Sequence, residues 1–344
     1  MTTATTTPSA EARLVSHLIR HGVDITRTRI VALTGDASDR RYFRLWLPDG
    51  QSRVAAVHVG AIDSEAMPFV AVGRLFAAMP VPVPRVLETS DDLGVLVLDD
   101  LGDETLFAHL PSATADERAA LYRQAIDLIA TIQERGAALA STGCVAYGLA
   151  FDVEKLTFEL QFFLTHFVEG HRAATLSPAA RTGFADGWRD IVEELAAEPR
   201  VLCHRDYHSR NLMLHDGRLV VIDFQDARMG PDTYDLASLV RDSYVDLTEA
   251  EEAASVAYFR DLRARRPGAT QESAEAFQRR FDLMSLQRGL KALGTFGFQA
   301  SVKGNTSYLV SVPRTLAHVG RTLRRYPRFA RLHALLAESI VELR

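Results

Sequence analysis

Lysine is nearly missing from this chain. Among 344 residues there are three, Lys155, Lys291 and Lys303, and none in the first 154. Cysteine is as scarce. Cys144 and Cys203 lie 59 residues apart, neither at a metal-ligand spacing, which excludes a disulfide framework and points to a reduced compartment with incidental thiols. No stretch reaches the roughly 18 uninterrupted apolar residues that a membrane span needs. The threonine-rich start, Met1–Ala10, is expected to be disordered and has no apolar run of the kind a signal peptide carries. The expectation is a cytoplasmic protein with no membrane partner.

What remains is ordinary globular material, 47% apolar and 24% charged, long enough for two core-bearing lobes. The net charge of −5 is spread unevenly: Phe277 to Arg344 holds twelve Lys+Arg against three Asp+Glu, so the rest carries −14. No aromatics are interleaved with those arginines in a nucleic-acid-binding pattern, and a solvated helical face explains them better.

Residues Glu11–His21 have helical spacing, with Gly22 as the stop. Ile30–Leu33, Tyr42–Leu47 and Arg53–Val59 read as strands, the last two joined by the turn Pro48-Asp49-Gly50. A helix over Glu65–Met79 and short strands at Val86–Glu88 and Gly94–Leu98 complete a first lobe over residues 1–102. Residues 103–344 are mostly helical: Asp116–Arg135, Val153–Val168, Pro178–Ala197, Thr248–Arg266, Ser273–Leu293 and Val312–Leu323. One strand-rich island, Val201–Asp226, interrupts them. The order predicts an α+β chain, a β-rich lobe followed by a helical one.

The island carries the chemistry. Leu212–Leu214 and Leu219–Ile222 flank His215-Asp216-Gly217, so a hairpin is expected, with Asn211 and Asp223 facing each other at its open end. A carboxamide beside a carboxylate is a hard-oxygen pair suited to Mg²⁺. Asp206, five residues before Asn211, adds a second carboxylate at the same mouth. His204-Arg-Asp206 followed by Asn211 and then Ile222-Asp-Phe224 matches the phosphoryl-transfer pattern of the bilobal protein-kinase-like fold. Taken singly, each of these residues is also an ordinary turn former; together and in order they are not.

The island resembles the aminoglycoside phosphotransferase and choline kinase branch of that fold. Further segments are similar to anomeric sugar kinases that phosphorylate N-acetylmuramate and N-acetylglucosamine at C1. These are Gly35–Arg44, Pro68–Val70, Leu96–Gly102, His204–Asn211, Asp223–Asp226, Gly230–Leu236 and Gln287–Phe296. The resemblance implies ATP and Mg²⁺ as cofactors, a small-molecule sugar as substrate, no nucleic-acid partner and a monomer. It assigns Asp206 as the base and Asn211 and Asp223 as metal ligands. The loop with Gly35, Asp36, Ala37, Ser38, Arg40 and Arg41 would cover the phosphates. Backbone groups of Asp99, Asp100 and Leu101 would meet adenine, and Asp235 would brace the catalytic loop. Glu159, Gln161, Arg288 and Lys291 fall where such enzymes contact sugar. His208 and Arg210 would either touch phosphate or substrate or form a solvated loop face.

Two features depart from the pattern. The phosphate loop has one glycine, Gly35, so Asp36–Asp39 must supply the backbone cradle. The strand Val54-Ala-Ala-Val-His-Val59 lacks the phosphate-anchoring lysine, which leaves Arg40, Arg41 and His58 as candidate cations. The expected activity is transfer of the γ-phosphate to the anomeric hydroxyl of N-acetylmuramate, N-acetylglucosamine or glucose. Two alternatives stand beside it: a kinase of the same fold acting on an aminoglycoside, choline-like alcohol or hydroxy-amino acid, and a nucleotide-binding scaffold without catalysis.

Overall fold

The computed structural model describes residues 8–33, 40–140, 143–266, 268 and 272–344. The chain divides into two compact units, residues 1–104 with 213–225, and residues 105–212 with 226–344. The phosphate-loop residues Gly35, Asp36, Ala37 and Ser38 lie outside the described residues.

The first unit is built on five antiparallel strands, β1 (Arg29–Leu33), β2 (Arg41–Trp46), β3 (Ser52–Val57), β4 (Val86–Ser90) and β5 (Val95–Asp99), in the order β1-β2-β3-β5-β4. Alternation along the strands fills both faces. Ala55, Val57, Val95 and Val97 pack with Leu14 and Leu18 of helix α1 (Ala10–Arg20). Ala56, Leu96 and Leu98 pack on the other face with Val70 of α2 (Pro68–Ala78). Each valine or leucine so buried is worth about 1.5–3 kcal/mol.

The hairpin expected in the island forms from β7 (Leu212–His215) and β8 (Arg218–Val221). Its turn residues Asp216 (φ 50°) and Gly217 (φ 72°) both adopt the left-handed region that a two-residue hairpin turn requires. Although the sequence reading assigned all of 103–344 to the helical lobe, residues 213–225 pack with the first unit. The amide of Leu214 donates to the Glu104 carbonyl and that of Val221 to Pro82, both at 2.8 Å. Phe224 stacks on Phe69, with ring centroids 5.0 Å apart.

The second unit holds α3 (Leu106–His109), α4 (Ala115–Ala138), α5 (Val153–Phe163), α6 (Pro178–Ala196), α7 (Tyr234–Val240), α8 (Glu249–Ala264), α9 (Ala274–Ser301), α10 (Val312–Arg325) and α11 (Ala330–Ser339). A two-stranded sheet of β6 (Arg200–Cys203) and β9 (Arg228–Pro231) completes it. Where a single helix was expected to Val168, α5 ends at Phe163 and the chain continues as a π-helical turn, Leu164–His171. Helix α9 approaches that turn closely because it carries glycine there: a Cβ on Gly294 would stand 2.9 Å from the Phe163 Cα, and one on Gly297 would strike the His166 carbonyl. Phe163 and Phe167 are fully buried and belong to the core. Cys203 is buried between β6 and β9, and burial pushes its thiol well up, consistent with a packing role.

Candidate active site

The loop after β6 is held by acidic side chains from α7 and the segment that follows it. The carboxylate of Asp235 accepts the backbone N–H groups of His204 (2.7 Å) and Arg205 (3.0 Å). Asp242 accepts both the N–H (2.9 Å) and the hydroxyl (2.5 Å) of Ser209. Between these two clamps Arg205 takes a φ of 88°, a conformation rare for a residue with a long side chain. The buried hydroxyl of Tyr207 donates to the Ala125 carbonyl at 2.9 Å. The bracing role expected of Asp235 is what its contacts provide. Asp242 was not anticipated, and its only sequence signal was a lone acidic residue after α7.

Asp206 projects from this loop toward α9. Lys291 Nζ donates to its Oδ1 at 2.8 Å, Arg288 Nη1 lies 3.7 Å from the same oxygen, and Arg205 Nε is 3.7 Å from Oδ2. Burial alone would raise the Asp206 carboxyl, but Lys291, Arg205 and Arg288 outweigh it and hold the group well below the usual carboxylate range. Burial draws the Lys291 ammonium down, against the attraction of Asp206. Arg288 is positioned in turn by donating to the Arg205 carbonyl and the Tyr234 hydroxyl, both at 2.8 Å, and to Ser238 Oγ at 2.5 Å.

These residues line a cavity of about 320 Å³ within the second unit, together with His208, Arg241, Asp242, Tyr244, Phe296 and Tyr308. Its charged lining comprises Arg205, Arg241, Arg288 and Lys291 against Asp206 and Asp242, a cationic surplus. The volume is in the range of small-molecule pockets, about 300–1,000 Å³. Part of the C-terminal charge surplus noted in the sequence therefore faces a cavity rather than bulk solvent.

The other expected site residues are distributed as follows. Glu159 is buried on α5, accepts from Gln287 at 2.9 Å and contributes to the field at Arg288 and Lys291. Gln161, two positions on and so about 200° round the helix, is exposed on the other side; the structure does not bring it to the Asp206 cluster. Burial lowers the His208 imidazole, whose ring meets Tyr244 edge-on at 5.2 Å. The Arg210 guanidinium lies 4.0 Å from the Tyr244 ring centroid and 4.8 Å from that of Phe107, which makes it an aromatic-packed cation rather than a solvated one.

Asn211 donates its amide nitrogen to the Asp206 carbonyl at 2.9 Å, which turns its Oδ1 the other way. Asp223, two residues beyond β8, has a φ of 61° and accepts from the Gln225 amide at 2.8 Å. The Asn211 carboxamide oxygen and the Asp223 carboxylate are each a hard donor of the kind Mg²⁺ takes.

In the first unit, Asp99 pairs with Arg85 (2.8 Å) and its amide donates to the Arg85 carbonyl. Asp100 is buried against Arg44 at 2.8 Å, and the Leu101 carbonyl lies 3.2 Å from His215 Nδ1. Burial first, then the nearby Arg40 and Arg13, lower the His58 imidazole. Arg40 and Arg41 make no ion pair among the described residues; each guanidinium lies over the ring of Tyr42 or Phe43.

Residues 29–268 match the sequence profile of the phosphotransferase enzyme family. The chain belongs to that family and has its protein-kinase-like fold. Its likeness to solved structures is one of fold: an ADP-bound aminoglycoside phosphotransferase superposes with a TM-score of 0.59 at 14% identity, covering 90% of this chain and 98% of that one. A choline/ethanolamine kinase family protein from Mesorhizobium loti gives 0.60 at 16% identity, covering 95% and 98%. In sequence the chain is 35% identical to the N-acetylmuramate/N-acetylglucosamine kinase of Neisseria meningitidis serogroup B, covering 89% of each chain. It is 33% identical to the enzyme of the same name from Pseudomonas putida, covering 90% of this chain and 88% of that one.

Proposed function

We propose that the protein is an ATP- and Mg²⁺-dependent sugar kinase that phosphorylates the anomeric hydroxyl of N-acetylmuramate, N-acetylglucosamine or glucose. The observation that carries this reading is the position of Asp206 in a cavity whose charged side chains are in cationic surplus. A neutral or anionic sugar suits such a lining. An aminoglycoside or a choline-like cation would meet Arg288 and Lys291, which argues against those acceptors. The relatives over nearly the full chain are kinases of N-acetylated sugars, one of them an acid, which supports the same substrate class.

In this reading Asp206 aligns the acceptor hydroxyl and takes its proton late, since phosphoryl transfer develops little charge on the attacking oxygen. A carboxylate held so firmly ionised is a weak base. The anomeric hydroxyl, part of a hemiacetal, is more acidic than the other sugar hydroxyls and needs the least help, which favours C1. Asn211 and Asp223 would hold Mg²⁺, which when bound neutralises charge between the β- and γ-phosphates. Arg40, Arg41 or His58 would supply the cation that faces the phosphates, and the loop from Gly35 to Ser38 would cover them. Adenine would be met by backbone groups of Asp99–Leu101 not already engaged with Arg85 and His215.

The test is ATP consumption against N-acetylmuramate, N-acetylglucosamine, glucose and galactose, with kanamycin and choline as outgroups, and phosphorus–proton coupling to locate the product phosphate. A sugar 1-phosphate is expected. Phosphate on C6 or C3 would keep the kinase and overturn the anomeric assignment; turnover with the outgroups alone would overturn the sugar.

A further inference from the structure

Three metal-ligating side chains meet in the first unit, far in sequence from the catalytic loop. His17 and His21 are one helical turn apart on α1 and leave the same side of the helix. Glu88 stands opposite on β4. Its Oε2 lies 3.3 Å from His17 Nε2 and 3.5 Å from His21 Nδ1. The imidazole centroids are 4.3 Å apart, and one ligand atom from each of the three residues falls within 4.8 Å of the others.

The spacing is informative. With bonds of about 2.0–2.1 Å, tetrahedral zinc holds neighbouring ligand atoms about 3.4 Å apart, and the two measured edges bracket that value. They are long for direct N–H to oxygen hydrogen bonds, which centre near 2.9–3.0 Å. His17 is fully buried, and its Nε2 faces the Glu88 carboxylate across 3.3 Å, at the long end for a hydrogen bond. An ion between the two would satisfy both more fully.

The surrounding contacts are those that orient metal ligands. His17 Nδ1 is 2.8 Å from Ser90 Oγ, which fixes the ring and directs Nε2 inward. Glu88 Oε1 accepts from Arg53 at 2.5 Å, leaving Oε2 for the cluster. His21 and Glu88 have side-chain exposures of 32% and 23%, enough for an ion to enter and for water to complete the coordination.

We propose that His17, His21 and Glu88 form a binding site for one borderline transition-metal ion of the zinc class, clipping α1 to the edge strand β4. Two imidazoles and a carboxylate select such an ion, whereas the oxygen pair Asn211 and Asp223 selects Mg²⁺. With three protein ligands and the Arg53 charge behind Glu88, the ion is exchangeable rather than locked in.

The experiment uses the full-length protein stripped with chelator and titrated with Zn²⁺ by calorimetry and with Co²⁺ by visible absorption. One equivalent of Zn²⁺ is expected to bind with a dissociation constant in the micromolar range or tighter. Co²⁺ is expected to give a tetrahedral d–d band that Zn²⁺ displaces. His21→Ala, at the partly exposed C-terminal cap of α1, and Glu88→Gln should each weaken binding at least tenfold, whereas Asp223→Asn should leave it unchanged. Zinc should also raise the Tm of the native protein and not that of His21→Ala. Absence of stoichiometric binding would overturn the proposal. So would binding that Asp223→Asn abolishes while folded His21→Ala and Glu88→Gln retain it.

Discussion

Lys291 Nζ lies 2.8 Å from Asp206 Oδ1, so a lysine on α9 engages the carboxylate assigned as the base. The pair is half of a larger arrangement in which Arg205 and Arg288 stand at 3.7 Å. One partner can therefore be removed without leaving Asp206 uncompensated, and that separates orientation from charge. Lys291→Met should keep the carboxylate ionised at neutral pH but let it rotate, lowering kcat by about 10–100-fold, the scale of a misplaced group. Steady-state kinetics on the folded variant checks this; an unchanged kcat would mean that Lys291 plays no part in aiming Asp206.

Asp242 clamps the same loop from the other end through the N–H and hydroxyl of Ser209. Asp242→Ala leaves the N–H and hydroxyl of Ser209 and the N–H of Tyr244 without their acceptor, each buried donor costing about 1–3 kcal/mol. A lower urea midpoint and a fall in kcat should appear together. Ser209→Ala removes only one of the two bonds and should show the smaller effect on both.

Arg241 is nearly fully buried, pairing with Glu252 at 2.8 Å and Asp282 at 2.5 Å. Glu252 keeps Arg321, and Asp282 keeps Arg325 at 3.1 Å and the Tyr326 hydroxyl at 2.6 Å. Removing Arg241 therefore costs at most about 3–5 kcal/mol, the range for breaking a buried pair. Arg241→Met should lower the free energy of unfolding, measured by chemical denaturation, by up to that amount. A loss below about 1 kcal/mol would show that the cluster is wet or rearranges.

Gly297 permits the contact of α9 with the π-helical turn, because a Cβ there would meet the His166 carbonyl and the Phe167 Cα. Neither is the end of a flexible side chain. Gly297→Ala should destabilise by about 1–3 kcal/mol and, since Arg288 and Lys291 sit on the same helix, raise KM for the sugar. Thermal unfolding with sugar kinetics on one sample tests both.

Much of this was legible in the sequence. The hairpin announced itself through Asp216-Gly217, and the amphipathic α1, α4 and α10 through their spacing. Helix α7 did not, because all seven residues of Tyr234–Val240 are buried and no polar face marks a period. Strand β9 contains Gly230 and Pro231, residues that argue against a strand, and is held by pairing with β6. The catalytic island could be read as an ordered motif. Its supports could not, since Ser209–Asp242 and Tyr234–Arg288 join residues 33 and 54 positions apart. Gln161 does not line the Asp206 cavity, and its nearness in sequence to Glu159 says nothing about which side of a helix it takes. Burial beside Arg40 and Arg13, which lowers the His58 imidazole, has no sequence signal either.

The most direct test of the central claim is single-turnover transfer from labelled ATP to N-acetylmuramate or N-acetylglucosamine by the native protein and by Asp206→Asn, with nucleotide affinity measured on both. The account predicts sugar phosphate from the native protein, a loss of at least about 10²-fold in the variant, and nucleotide affinity within about twofold. A variant that transfers phosphate at most of the native rate would contradict it.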